Sequence, residues 1–336
     1  MINRLINDPE NVMDEMLNGY LKCYSTQFEK LENHNVMIQK NTEDRVSVVI
    51  GAGGGNEPWP IGYVGEGLAD ACAIGNVFTA PPARAILNMI KSVPNQKGVL
   101  CIATNHAGDV LNFELVAELA EQEGIETKRI YVADDITSAP KQEKDERRGI
   151  AGVSLVVKIA SAAAKAGMNL EETAAVAQLA SDHLHTCSVT TSPAYVLETG
   201  KEAYDLPEGK IEYGMGFNGE MGIRREDLTD GNKVTEEVVT MLLEDMELTA
   251  GEEIAVFLNP YKATTEIESY IIVNRCLKLL EEKQIKVHDV FVKSLFPTQG
   301  AGGFSISFLR MKEEYKDLYD EPAFSPMFQK QAGGWR

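Results

Sequence analysis

The segment Thr104-Asn105-His106-Ala107-Gly108-Asp109 brings a hydroxyl, an imidazole and a carboxylate within six residues. Such a set can accept and donate protons and can bind the hydroxyls of a small ligand. Two glycine-rich segments accompany it, Gly51-Ala52-Gly53-Gly54-Gly55-Asn56-Glu57-Pro58 and Gly214-Met215-Gly216-Phe217-Asn218-Gly219-Glu220-Met221-Gly222. Glycine tolerates positive φ and lets backbone approach a ligand closely, so Gly53 and Gly54 are candidate ligand contacts through their main chain. Asn56 and Asn218 place amides there, which form hydrogen bonds but have no pKa near neutrality. The residues to weigh as ligand contacts are Gly53, Gly54, Asn56, Thr104, His106, Asp109 and Asn218.

Each of these residues also has a purely structural reading. The 51–55 run can be a tight turn between strand and helix. It fails G-x-G-x-x-G because Asn56 stands at the third glycine, and no G-K-[ST] follows, so nucleotide binding is disfavoured. Asp109 can cap a helix beginning at 110. His106 can be an ordinary surface or core histidine. His183 and His185 suit a helix end, where a cation interacts well with the dipole, and a spacing of two does not make a metal pair. Asp134 and Asp135 follow a strand and could bind Mg²⁺, although acids at strand ends are frequent. No metal site is expected.

The elements that must position these residues follow from periodicity and punctuation. Asp8-Pro9 starts a helix, with Asp8 as N-cap and Pro9 at the first helical position, and 11–22 continues it. Strands are expected over 45–50, 98–103 and 127–133, and helices over 86–92 and 111–123. Residues 140–148 are strongly charged and read as a solvated loop. Alanine-rich helices are expected over 151–166 and 170–183. The Thr, Ser, Pro and Gly content of 186–207 marks a link between domains. Beyond it come helices at 236–247 and 267–283 and strands at 254–258, 289–294 and 304–309. Strand–loop–helix alternation argues for an α/β architecture with ligand loops at strand C-termini. The expected division is a domain over 1–185 with most of the pocket and a second over 186–336 that contributes the 214–222 loop.

Composition narrows the function classes. Of 336 residues, 44% are hydrophobic, which suffices for a core. Acidic residues outnumber basic ones 51 to 32, for a net charge of −19. Such a surface repels phosphate backbones and anionic lipid, so direct nucleic-acid or membrane binding is not expected. Five scattered cysteines without C-x-x-C spacing read as reduced thiols of a cytoplasmic protein. No apolar run reaches the ~20 residues of a membrane helix, and no signal peptide is apparent at the start.

Several motifs in order resemble one family. They are 53–58 with Ile61-Gly62-Tyr63-Val64-Gly65, Gly75-Asn76-Val77-Phe78-Thr79, Asn105 with Gly108-Asp109 and Asn112-Phe113, Arg147-Arg148-Gly149, and 214–222. Together they are similar to the dihydroxyacetone-binding subunit of bacterial dihydroxyacetone kinases, the DhaK family, over essentially the whole chain. The resemblance implies a two-domain α/β fold with mixed sheets flanked by helices, a homodimer, and a site built from the three loops. It implies that a histidine of the second glycine loop forms a hemiaminal with dihydroxyacetone. A histidine of the first loop and an aspartate of the middle loop, here Asp109 as the catalytic group if the chain is active, then handle hydroxyl protons. It implies no directly bound cofactor: ADP or ATP is carried by a DhaL-type partner subunit recharged from a phosphotransferase protein.

Against that pattern Asn218 and Asn56 stand where the family has histidine. Ala80 stands where it usually has serine, and Trp59-Pro60 replaces a less bulky pair. An amide nitrogen is not a useful nucleophile and cannot relay protons. Asp109 and the glycine frame remain, and His106 is the one histidine inside a shared motif, available as hydrogen-bond donor or adduct former. The resemblance therefore implies a ligand-sensing paralogue of the DhaQ type, a co-activator of a TetR-like (DhaS-type) transcription factor of a dha operon. The alternative is a phosphotransferase-dependent kinase subunit for dihydroxyacetone or a related ketose.

Overall fold

The computed structural model describes residues 4–197, 199–216 and 219–331, and the backbone of 334–335. In chain order the elements are α1 (Val12–Cys23), β1 (Phe28–Lys30), β2 (Val36–Gln39), β3 (Ser47–Gly54), β4 (Ala71–Val77), α2 (Ala83–Ser92), β5 (Val99–Thr104), α3 (Ala107–Gln122) and β6 (Thr127–Val132). Then follow α4 (Val153–Lys165), α5 (Leu170–Asp182), β7 (Leu184–Ser192), β8 (Lys210–Tyr213), β9 (Arg224–Asp227) and α6 (Gly231–Met246). The remainder is β10 (Glu253–Pro260), α7 (Glu266–Glu282), β11 (Lys286–Val292), β12 (Gly302–Arg310), α8 (Glu313–Asp320) and the short strands β13 (Ala323–Phe324), β14 (Gln329–Gln331) and β15 (Gly334–Trp335).

Contacts divide the chain into two units, and neither is contiguous. One comprises Leu5–Val132, Val153–Asp182 and Glu313–Arg336; the other comprises Met1–Arg4, Ala133–Gly152 and His183–Lys312. A cut at 185/186 thus falls close to one crossover. It does not account for Ala133–Gly152, which belongs with the later strands, or for the C-terminal segment, which returns to the earlier ones. Asp135 explains the first of these: it pairs with Thr186 of β7 in an isolated parallel bridge.

The first unit holds a sheet of order β1-β2-β4-β3-β5-β6. β4, β3, β5 and β6 run parallel, and β1 and β2 add an antiparallel margin. Val49, Ala73, Val99 and Cys101 pack against Ile86, Met89 and Ile90 of α2 and Phe113 and Val116 of α3. On α4 every residue from Val153 to Ala164 is buried, including Lys158. A helix buried all round must be small or apolar on every face, which is why it is alanine-rich.

The second unit holds a sheet of order β11-β10-β12-β7-β8-β9, antiparallel except for β10 and β11. Cys187, Val189, Val256, Phe304 and Phe308 pack with Val238 and Leu242 of α6 and Cys276 and Leu280 of α7. The intervening residues Thr186, Ser188, Thr190, Ser305 and Ser307 are also buried, on the alternate positions of their strands. Residues 186–192, expected as a linker, are therefore a central strand. Threonine's branched side chain suits a pleated surface, and the hydroxyls find internal partners, as when Thr186 Oγ1 donates to Ser307 Oγ at 2.7 Å. The expected solvated loop 140–148 also differs: Lys141–Glu146 is a 3-10 helix, and the Arg147 that follows is buried. Among the described residues no helix is long and apolar enough to cross a membrane. The five cysteines are free, and all but Cys23 are buried.

Candidate functional site

β3 does not end where the glycines begin. It runs through Gly54, with a register shift against β4 between Ala52 and Gly54. At the shift, a Cβ on Gly53 would lie 2.7 Å from Thr79 N and 2.8 Å from Thr79 O, so two backbones meet with no room for a side chain. Gly54 O accepts from Phe78 N at 2.9 Å, and Gly55, at φ +102°, donates to Glu57 Oε1 at 2.8 Å. The chain then enters Asn56, 7% exposed. Trp59 is wholly buried and meets Tyr63 edge-on with ring centroids 5.1 Å apart, so it belongs to the core. Gly53→Ala is expected to cost roughly 1–3 kcal/mol, because backbone must move to admit the methyl. Chemical denaturation of the variant measures this, and an unchanged midpoint would show that the close approach is not obligatory.

The middle segment leaves β5 at Thr104 and enters α3 at Ala107. The helix begins four residues earlier than its periodicity indicates. His106 is therefore the N-cap, without a side-chain capping bond, and Asp109 is the third helical residue rather than a cap. An acid in the first turn is favoured by the dipole. Thr104 Oγ1 donates to Asp109 Oδ2 at 3.4 Å and lies 3.1 Å from His106 Nδ1. With that hydroxyl proton directed at the carboxylate, Nδ1 is the donor and the imidazole keeps its second nitrogen as an acceptor. Asp109 Oδ1 is buried with no hydrogen-bond partner. Burial raises the Asp109 pKa to about 7, against the opposing bond from Thr104. A carboxylate that titrates near neutrality and keeps one oxygen unengaged can accept a ligand hydroxyl or take its proton.

One turn joins the two segments. Phe78, at φ +55°, sets its ring where a Cβ on Gly55 would fall, 2.6 Å from Phe78 Cε1. Two residues on, Ala80 Cβ lies 3.2 Å from the position a Cβ on Gly108 would take, and Asn112 Nδ2 donates to Pro81 O at 2.9 Å. The residues between Gly75 and Pro82 therefore tie the end of β3 to the start of α3. Gly53, Gly54, Asn56, Thr104, His106 and Asp109 lie at the C-terminal ends of β3 and β5, neighbouring parallel strands, where α/β sheets place ligands. The positioning part played by Phe78 was missed from sequence, although Gly75-Asn76-Val77-Phe78-Thr79 stood out as a motif.

In the second unit, residues 214–222 link β8 to β9. Gly214 N donates to Ser188 O at 2.8 Å and Gly222 N to Glu212 Oε1 at 2.7 Å, anchoring both ends. Asn218 lies outside the described residues. The acids after β6 have structural partners. Asp134, fully buried, accepts from Ile150 N at 2.6 Å, Gly152 N at 2.8 Å and the Thr186 hydroxyl. Asp135 accepts from Thr137 and Arg148. Among the described residues no group of three His, Cys, Asp or Glu side chains could hold a metal ion. His185 is not at a helix end: it lies in β7, buried, with Nδ1 at 2.5 Å from Asp245 Oδ2. His183 follows the last residue of α5.

The Dak1 domain model matches residues 18–327. The chain is 36% identical over 330 residues, 97% of its length and 99% of the relative's, to the dihydroxyacetone-binding subunit DhaK of the PTS-dependent dihydroxyacetone kinase 2 of Listeria innocua. The solved dihydroxyacetone kinase operon co-activator Dha-DhaQ is similar at a TM-score of 0.87 and 28% identity, covering 92% of this chain and 96% of that one. The dihydroxyacetone kinase of C. freundii, in complex with AMP-PNP and Mg²⁺, is similar at a TM-score of 0.90 and 27% identity, covering 98% of this chain and 61% of that one.

Proposed function

Since the chain belongs to the Dak1 domain family, we propose that it binds dihydroxyacetone or a similar small ketose and acts as a ligand-sensing co-activator. In this reading it works in the cytoplasm as a homodimer and engages a TetR-like regulator. The observation that carries it is Asn56: a buried, non-titrating amide stands in a glycine frame that is otherwise preserved along with Asp109. Binding needs shape and hydrogen bonds, whereas phosphoryl transfer to a hydroxyl also needs proton movement. Two similar proteins support each half of the reading, one a DhaK subunit and one a co-activator. A net charge of −19 suits a protein that reaches DNA only through a partner.

Calorimetry against dihydroxyacetone and erythrulose tests the binding step. The ionised Asp109 accepts ligand hydroxyls, so affinity should rise between pH 6 and pH 8 as the carboxyl, with its pKa near 7, loses its proton. Asp109→Asn should bind more weakly by about 10- to 100-fold, the equivalent of the roughly 1.5–3 kcal/mol of a charge-assisted bond, and should lose the pH dependence. Absence of binding by any small ketose would remove the reading. Co-elution with the regulator only when ketose is present tests the output. One observation favours a kinase subunit instead: Asp109, with an unengaged oxygen and a pKa near 7, suits a general base.

A further inference from the structure

The residues after α8 fold back, within the first unit, onto the chain that follows the first glycine loop. Lys158, buried on α4, pins their start by donating from Nζ to Leu318 O at 2.5 Å. Phe324 N of β13 donates to Glu66 O at 2.7 Å. Ser325, wholly buried, is the centre of the contact. Its hydroxyl donates to Gly62 O at 2.5 Å and accepts from Met327 N at 3.2 Å and Phe328 N at 2.9 Å. Its own N–H donates to Phe328 O at 2.7 Å, which closes a turn over 325–328. That turn sets the Phe328 ring, also wholly buried, 5.5 Å from the ring of Tyr63. The approach leaves no room at two glycines. A Cβ on Gly65 would collide with Phe324 O, and one on Gly62 would fall 2.7 Å from Pro58 Cβ and 3.1 Å from Met327 Cβ.

The contact continues to the candidate ligand residues in short steps. Tyr63 meets Trp59 edge-on. Gly62 N donates to Pro58 O at 2.7 Å, Tyr63 N to Pro60 O at 3.0 Å, and Trp59 N to Asn56 O at 3.0 Å. Residues 56–63 are thus a set of overlapping turns, with Asn56 at one end and the Gly62 carbonyl, held by Ser325, near the other. A loop keeps a ligand contact in place only when its own support is locked by packing and hydrogen bonds. We propose that Ser325 and Phe328 are positioning residues of the ketose site: they seat the 56–63 turns and, through them, Asn56. The proposal rests on the ligand-binding reading above. It adds a consequence for the far side of the contact. Coupling between two equilibria is reciprocal, so a ketose that fixes the Asn56 turn also fixes residues 323–330. Phe324 of that segment is 46% exposed, so the effect reaches the surface.

The first test needs no ligand. In hydrogen exchange followed by mass spectrometry, Phe328→Ala should speed exchange of the 56–63 amides about tenfold by local opening and leave β5, β10 and β12 unchanged. Phe328→Leu, which keeps an apolar side chain there, should restore most of the protection. Ser325→Ala removes only the hydroxyl, should also loosen the turns, and keeps the test readable if Phe328→Ala folds poorly. Unchanged exchange over 56–63 in both alanine variants would overturn the positioning role, whether or not the wild type binds ketose. The second test reads what packing alone would not move. Saturating dihydroxyacetone should slow wild-type exchange over 323–330 about fivefold, the lower end of an ordinary coupling. In calorimetry Ser325→Ala should bind dihydroxyacetone about tenfold more weakly, the equivalent of one buried hydrogen bond. Binding by the wild type with unchanged exchange over 323–330, or with equal affinity in Ser325→Ala, would overturn the coupling. Failure of the wild type to bind, with the turns loosened in the variants, would fault the functional reading and leave the seating of the turns standing.

Discussion

Asp245→Ala should cost about 3–5 kcal/mol of folding stability, because it strips the partner from a buried cation. Arg147 has a side chain only 2% exposed. Its Nη1 and Nη2 reach Asp245 at 2.9 and 2.7 Å, and its Nε donates to Ala139 O at 3.1 Å. The same carboxylate accepts from His185. Urea denaturation measures the loss as a lower midpoint at unchanged slope. The double variant Arg147→Met/Asp245→Leu should recover most of it, since a packed apolar pair avoids the desolvation cost. A single variant as stable as wild type would show that the pair contributes nothing. The pH dependence has a definite sign. Burial raises the Asp245 pKa, but the bonds from His185 and Arg147 outweigh it and hold the carboxyl well below the usual range. A depressed acid contributes stability above its unfolded pKa, so the difference between wild type and variant should shrink as pH falls below about 4. Burial also lowers the His185 pKa, more than Asp245 raises it. Unfolding should therefore take up a proton there, and His185's contribution weakens as pH falls below about 6.5.

The acids that titrate in the other direction oppose this. Asp109 and Asp134 have pKa values raised by burial to about 7 and about 6, so each costs stability as pH rises through those values. At Asp109 the cost falls at a candidate ligand site, where an unfilled bond to one oxygen is what a ligand hydroxyl can complete.

Much of the first sheet was legible because its strands are apolar, β-branched and punctuated by glycine. β5, β6 and the helices after them fall within a few residues of their expected places. Helix starts were less legible: α6 begins at Gly231, five residues earlier than its apolar period, because Asp230 caps it by accepting from Asn232 N and Lys233 N. β7 was misread because Thr and Ser suit both a linker and the polar face of a buried strand, and only the partner strand distinguishes them. Arg147 was hidden in a charged run since its partner, Asp245, is 98 residues away. At the candidate site, the residue types at Gly53, Thr104, His106 and Asp109 were readable as chemistry. That Gly53 is pressed against Thr79 backbone, and that Asp109 is a first-turn residue under Thr104, depends on how the strand ends are brought together.

Mixed with a competent nucleotide-carrying subunit and dihydroxyacetone, the wild-type chain should turn over at least 10²-fold more slowly than an ordinary DhaK subunit. The argument is one of proton transfer. A positioned general acid or base contributes about 10²–10⁴-fold. Asn56 has none to offer at the first glycine loop, and an amide at 218 supplies no nucleophile for a carbonyl adduct. Asp109 remains as a base titrating near 7, so residual turnover should rise as pH passes through that value and should vanish in Asp109→Asn. Asn56→His should recover part of the deficit, because it restores an imidazole where the loop already closes on a buried side chain. It should not recover all of it while Asn218 stays. Steady-state rates of the wild type, Asn56→His, Asn218→His and the double variant separate the contributions, and peptide mapping after incubation with ketose shows whether an adduct forms at 218 or at His106. Turnover of the unaltered chain equal to that of an ordinary subunit would end the sensor reading and leave a kinase that needs only Asp109.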